Sequence, residues 1–173
     1  MSATPDAGIR LMCASDAEAL VEVSRAAEAL FAEVGLALPP DDPREMLAAA
    51  CWVLVAAGPV RGFAAVGVLD GAAHLEELAV HPDHGRRGVG GALLEAACGR
   101  ARAEGFAAMT LTTFRDVAWN APWYARRGFA QLAPNAWGPE LREQWTREEA
   151  AGIAVAPRIA MRRRFGGLGP SGG

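Results

Sequence analysis

The chain has 173 residues, enough for a single sizeable core, and 51% of them are hydrophobic. No apolar run approaches the roughly eighteen residues of a membrane span, and residues 1–5 lack the basic start and apolar stretch of a secretion signal. A net charge of −3 argues against nucleic acid as a partner, because neutralising phosphates needs a basic face.

All 17 basic residues are arginine, which a coding bias toward Ala, Gly and Arg explains most cheaply. Arg162-Arg163-Arg164 then reads as a solvated strand end. Cys13, Cys51 and Cys98 are odd in number and lack metal-ligand spacing, so buried free thiols in a reducing compartment, the cytoplasm, are expected. His74, His81 and His84 have too few companion ligands nearby for zinc, and no metal is expected.

In chain order, residues 8–13 read as a first strand. Ser15-Asp-Ala-Glu18 reads as a capping box opening a helix whose stripe is Leu20, Val21, Val23, Ala27, Leu30 and Phe31. Pro39-Pro40 breaks the chain, and Asp42-Pro43 starts a short helix to about residue 49. Apolar strands over 51–57 and 62–69 flank the turn Gly58-Pro59, and Asp70-Gly71 turns into a strand carrying Leu75 to Val80. A helix over about 89–104 directs Leu93, Leu94 and Ala97 inward and stops at Gly105. Then come a strand over 108–113, a helix from Asn120, a strand over 129–132, a helix from Gly138-Pro139 to about 151, and a strand over about 154–163. The tail 166–173 is too rich in Gly, Pro and Ser to bury anything and is expected to be disordered.

From Leu75 the chain reads Leu-Glu-Glu-Leu-Ala-Val-His-Pro-Asp-His-Gly-Arg-Arg-Gly-Val-Gly-Gly-Ala-Leu-Leu94. This is an apolar strand, a loop dense in glycine and arginine, and the first turn of a helix. Such a loop presents unshielded N–H groups at a helix N-terminus, where an anion is favoured, and Arg86 and Arg87 add two charges. The order Gly85-x-x-Gly88-x-Gly90 reverses that of a dinucleotide turn, and no P-loop Lys follows. Further on, Asn120 stands at a helix N-cap with Pro122 in the first turn, Tyr124 above it and Gly128-Phe129 as the stop.

The loop after a Leu-Ala-Val strand resembles the coenzyme A loop of the GNAT acetyltransferases, and Asn-Tyr-Gly-Phe resembles that family's second hallmark. Gly85 stands where the family usually has Gln or Arg, which should remove one side-chain contact and keep the main-chain geometry. Asn120 and Tyr124 are closer in sequence than is common in the family, yet the shorter spacing returns to nearly the same helix face, at about 100° per residue. The resemblance implies an α/β (α+β) fold with a mixed, mostly antiparallel central sheet of about seven strands flanked by helices. The order β-α-α-β-β-β-α-β-α-β-β agrees with it, in one domain over residues 1–165. It also implies acetyl-CoA as co-substrate, with Arg86, Arg87, Gly88, Val89, Gly90 and Gly91 at the pyrophosphate. The main chain of Leu78, Ala79 and Val80 would meet the pantetheine, with the Val80 N–H at the oxyanion. Asn120 would meet the pantetheine too, and Tyr124 would protonate the leaving thiolate.

A lysine-like amine with a pKa of about 10.4 is neutral in only about one molecule in 10³ at pH 7, so a base or a desolvating pocket is needed. Alternation places His74, Glu76 and Leu78 on one strand face and Leu75, Glu77 and Ala79 on the other. Glu76 is the favoured base, His74 an accessory or alternative, and Glu77 the third choice should a bulge shift the alternation. Ser24, Asp116 and Gln144 stand in no pattern. The resemblance implies an acceptor side shaped by the first helical segments and the loop before the last strand, which here hold Phe31, Pro39, Asp41, Asp42, Trp137 and Trp145, with Trp119 and Trp123 near Tyr124. These suit either a cationic amine or a plain core beside a solvated acidic loop. The resemblance thus implies an N-acetyltransferase acting on a primary amine of a small molecule. A protein N-terminal or lysine acetyltransferase and a non-catalytic acyl-CoA sensor remain open beside it, and the family allows a homodimer.

Overall fold

The computed structural model describes residues 8–166, so all of the expected disordered tail except Gly166 lies outside the described residues. Seven strands form one sheet in the order β1-β2-β3-β4-β5-β7-β6. They are β1 (Ile9–Leu11), β2 (Trp52–Ala56), β3 (Gly62–Leu69), β4 (Ala72–Val80), β5 (Ala108–Phe114), β6 (Ala130–Leu132) and β7 (Arg158–Arg164). The helices are α1 (Ala17–Glu28), α2 (Leu30–Glu33), α3 (Pro43–Ala49), α4 (Val89–Ala103), α5 (Ala121–Ala125) and α6 (Pro139–Ala150). All neighbouring strands are antiparallel except β4 and β5. The sheet is therefore mixed and mostly antiparallel, as expected.

Each face of the sheet has its own core. On one, Leu93, Leu94, Ala97 and Ala101 of α4 are fully buried against Leu54, Ala64, Val66, Leu75, Met109 and Leu111. On the other, Leu20, Val21 and Val23 of α1 and Leu47 of α3 pack on Val53, Val55, Phe63 and Ala65. Farther along that second face α6 sets Leu141 against Leu132 and Ala160. Among the described residues no helix is long and apolar enough to cross a membrane.

Local chemistry accounts for several element ends. A single 3-10 turn over Ala14–Asp16 precedes α1 and is capped two residues before the expected Ser15: the Cys13 N–H donates to the Asp16 carboxylate at 2.8 Å, and Arg10 clamps both of its oxygens. That clamp holds the Asp16 carboxyl well below the usual carboxylate range. Glu18, expected as the box partner, instead accepts from Arg44. Asp42 caps α3 as predicted, accepting from the Arg44 N–H at 3.1 Å. The last strand starts at Arg158 rather than near 154, because Pro157 has no N–H to give a ladder and its carbonyl serves the Arg115 N–H. Cys98 is buried, but Cys13 and Cys51 are exposed free thiols, which corrects the expectation of burial for two of the three.

The β3–β4 turn does more than reverse the chain. Asp70 and Gly71 both take left-handed conformations, and the Asp70 carboxylate accepts the N–H groups of Glu140 and Leu141 at 3.0 and 2.9 Å. It thus caps α6 from a distance, in place of Gly138, which has no side chain for the task. Asp70→Ala should cost about 1 kcal/mol, read as a fall of about 2–4 °C in melting temperature by calorimetry.

Candidate active site

The parallel β4–β5 ladder is only two residue pairs long, Ala73 with Met109 and His74 with Thr110. Beyond it β4 continues to Val80 and β5 to Phe114 without pairing, so the two strands splay into an open wedge. Main-chain groups line the β4 side of this wedge. The His81 N–H donates to Arg61 at 2.8 Å, and the Ala79 carbonyl faces Gly62 so closely that a Cβ there would lie 2.6 Å from it. Groups alternate in direction along an antiparallel strand, so those of Leu78 and Val80 turn the other way, toward the gap.

The loop after β4 ends at the wedge. A short turn over Pro82–His84 leads to Arg86 at φ 60° and Gly88 at φ 79°, after which α4 begins. No side chain caps α4, so its first N–H groups stay available as donors. Left-handed residues just ahead of a helix aim successive N–H groups into one concavity, which suits an anion. The helix start lies on the wedge wall, where a Cβ at Gly90 would make ordinary contact, 3.6 Å from both Val80 and the Trp123 ring. Arg86 and Arg87 are exposed beside the cradle. A third cation joins them that sequence reasoning missed. The Arg127 guanidinium lies 3.7 Å over the Trp123 ring, donates to the Trp123 carbonyl, and borders Gly91. Its only signal was the pair Arg126-Arg127 before Gly128, which says nothing of direction until α5 folds back on α4. Donors and cations with no carboxylate among them fit a diphosphate.

Across the wedge, α5 presents Asn120 and Tyr124. Asn120 occupies the N-cap, but its side chain makes no capping bond, contrary to expectation; its carbonyl accepts the Tyr124 N–H at 3.0 Å. Gly128 at φ 87° ends the turn as predicted. Tyr124, the chain's one tyrosine, is 8% exposed and packs edge-on against Trp123 and Phe129. Its hydroxyl has no hydrogen-bond partner among the described residues. Burial first, and then the Glu77 charge, push its pKa well above the usual value. The folded protein should therefore show no tyrosinate in ultraviolet difference absorbance at about pH 11, where an ordinary tyrosine is mostly ionised.

The carboxylates of β4 do not obey simple alternation. The β3–β4 register slips between Ala65 and Val66, which pair with Glu77 and Leu75, so Glu76 is the extra residue of a bulge. This corrects the face assignment. His74, Glu76, Glu77 and Ala79 all lie on the α1/α6 side, whereas Leu75, Leu78 and Val80 lie on the α4 side. Glu76 leans toward α6, where Gln144 donates to it at 3.3 Å. Burial, helped by Glu148, pushes its pKa up to about 7. Glu77 leans toward α1, where Ser24 donates to it at 2.7 Å. Burial raises Glu77 to about 7, with Asp41 and Glu28 adding to the rise and the Ser24 bond opposing it. His74 is 1% exposed, shares a 2.7 Å hydrogen bond with Thr110, and is lowered by burial to about 4. Ser24 and Gln144 stand 53 and 68 residues from their glutamates, so no local pattern could have marked them.

These groups can hold an anion at one end of the wedge and move protons at the other. Among the described residues, no group of three His, Cys, Asp or Glu side chains could hold a metal ion.

Residues 48–131 match the family described as the acetyltransferase (GNAT) domain. Several solved structures share the fold. N-acetylglutamate synthase from Neisseria gonorrhoeae, complexed with coenzyme A and N-acetyl-glutamate, has a TM-score of 0.66 at 21% identity; the match covers 92% of this chain but 35% of that one. The ribosomal-protein-S18-alanine N-acetyltransferase from Escherichia coli has a TM-score of 0.66 at 20% identity, covering 95% of this chain and 97% of that one. The PaiA N-acetyltransferase from Thermoplasma acidophilum, in complex with coenzyme A, has a TM-score of 0.63 at 16% identity, covering 91% and 98%. This chain thus spans about a third of the Neisseria enzyme and nearly the full length of the other two.

Proposed function

The chain carries a GNAT acetyltransferase domain, and on that premise we propose that it moves an acetyl group from acetyl-CoA to a primary amine by direct attack. One observation carries the reading: β4 and β5 part into an open wedge with Glu77 on β4 and Tyr124 on α5, and the wedge ends at the uncapped start of α4. Arg86, Arg87 and Arg127, with the first N–H groups of α4, would hold the diphosphate. The outward main-chain groups of Leu78 and Val80 would pair with the pantetheine amides like an added strand. Asn120, whose side chain makes no capping bond, would meet the same arm.

Acetyl-CoA supplies an acyl carbon activated by a thiol leaving group; the protein supplies proton traffic and charge stabilisation. Glu77 takes a proton from the incoming ammonium, leaving a nucleophilic lone pair. The N–C bond forms as the C–S bond breaks, and the Val80 N–H stabilises the oxygen that gains charge in between. Tyr124 gives its proton to the departing sulfur and recovers one from the attacking nitrogen. The sum is an amide, a free thiol and one proton released through Glu77. A phenol that resists ionisation is suited to this donation, since it is fully protonated at neutral pH.

Glu77 ranks above Glu76 as the base in this reading, because it is held against α1 by Ser24, whereas Glu76 turns toward α6 and Gln144. His74 is sealed under the sheet face, where a neutral ring bonded to Thr110 fits a positioning role better than proton exchange with substrate.

Calorimetry with acetyl-CoA, beside thiol release over a panel of amines, tests the reading. Binding and turnover are expected. Absence of heat from well-folded protein would overturn the whole proposal, and heat without thiol release on any amine or peptide would make the domain an acyl-CoA sensor. With Glu77 at about 7, kcat/KM should rise with pH through about 7 and then level, because the base works only when deprotonated.

A further inference from the structure

The α1 side of the wedge contains more negative charge than the transfer step uses. The Ser24–Glu77 hydrogen bond fixes α1 over β4, and Glu28 follows one turn later on the same helix face, half-buried. Past it Phe31 packs 5.5 Å from both Phe114 and the exposed rim residue Trp119. Asp41, exposed in the segment before α3, adds its charge to that of Glu28. Burial and Asp41 raise the Glu28 pKa, and Arg25 is the one cation that opposes the rise. The Tyr124 ring is buried across the wedge, and its hydroxyl has no hydrogen-bond partner among the described residues. Three carboxylates beside an aromatic wall, with Arg25 as the cation acting on Glu28, are collectively short of positive charge.

We propose that this is the acceptor pocket and that it selects a small diamine, with one amine between Glu77 and Tyr124 and the other, still charged, between Glu28 and Asp41. The aliphatic span lies along Phe31 and Trp119, where an alkyl chain loses no hydrogen bonds. Ser24 and Glu28 are one helical turn apart, about 5.4 Å, which suits amines joined by about four carbons. The product is the monoacetylated diamine, because the far amine remains an ion-paired ammonium. A monoamine leaves Glu28 and Asp41 uncompensated, and an amino acid brings a carboxylate toward them.

This substrate class rests on the acetyltransferase reading, and the test separates the two. Thiol release is measured with 1,4-diaminobutane, n-butylamine, 4-aminobutyrate and a short peptide with a free N-terminus, with calorimetry of coenzyme A alone run alongside. The diamine should exceed butylamine by about 100-fold in kcat/KM, with aminobutyrate slowest. In the double variant Glu28→Gln, Asp41→Asn, that ratio should fall below about tenfold through a rise in the diamine KM, with the melting temperature held. Equal rates for diamine and butylamine, a peptide that outpaces both, or a ratio that survives the double substitution would each overturn the pocket assignment while coenzyme A still binds. No heat with coenzyme A would overturn both readings together.

Discussion

Glu77→Gln should lower kcat/KM at pH 7.5 by about 10²–10³ and erase the rise through pH 7, leaving a nearly flat profile. Glutamine keeps the volume and can still accept from Ser24, so the α1–β4 contact survives. What it loses is the capacity to accept a proton. Glu76→Gln should cost less, about tenfold or under, since its partner Gln144 lies on α6 rather than across the wedge. A reversed ranking in this pair would return the base to Glu76. The same substitution has a stability signature of fixed sign. Burial raises the folded-state pKa of Glu77 above its ordinary value, so the native state keeps a proton that the unfolded chain gives up. Stability therefore falls as pH climbs from the ordinary carboxylate value toward about 7, and is unaffected by this group below that window. Glu77→Gln should raise the melting temperature at pH 8 and leave it unchanged at pH 4. His74 works in the opposite direction: its lowered pKa makes the fold lose stability as pH drops from about 6.5 toward about 4.

Reversing the charge of the cradle should have an effect as large, at a different step. Arg86→Glu with Arg87→Glu should weaken acetyl-CoA binding by about 10³-fold by calorimetry, since each loses a charge-assisted contact and adds a repulsion. Both arginines are exposed, so the melting temperature should move little, which separates lost binding from lost fold. The remaining affinity should depend weakly on salt, whereas that of the unaltered protein should fall as salt rises. Retained affinity in the double variant would show that the diphosphate sits elsewhere, and with it the direction in which the wedge is filled.

Much of this was legible before any coordinates. The strand, glycine loop and helix from Leu75 to Ala103, and the Asn120–Phe129 turn, announce themselves through short-range chemistry: apolar runs, left-handed glycines, a proline in a first turn. Those same local rules put the glycine loop directly ahead of α4 and Tyr124 on α5. They failed where the deciding contact was remote. The Ser15–Glu18 box lost to Arg10, which reaches Asp16 from the preceding strand. The faces of Glu76 and Glu77 depend on pairing with β3, which no count along β4 contains. Ser24, Gln144 and Arg127 acquire meaning only when helices fold over the sheet, and the Asp70 cap on α6 joins residues about seventy apart.

The slipped register at Glu76 also acts as a phase shifter. A regular pleat sends neighbouring side chains to opposite sides, and one additional residue makes two consecutive glutamates into neighbours of different helices on one side. Removing Glu76 would restore regular pleating, keep Glu77 opposite Ala65 beside α1, and take away only the glutamate that meets α6. Such a shortened strand would keep the Ser24 bond and lose the Gln144 one, and so would part the two neighbouring acids by a single deletion.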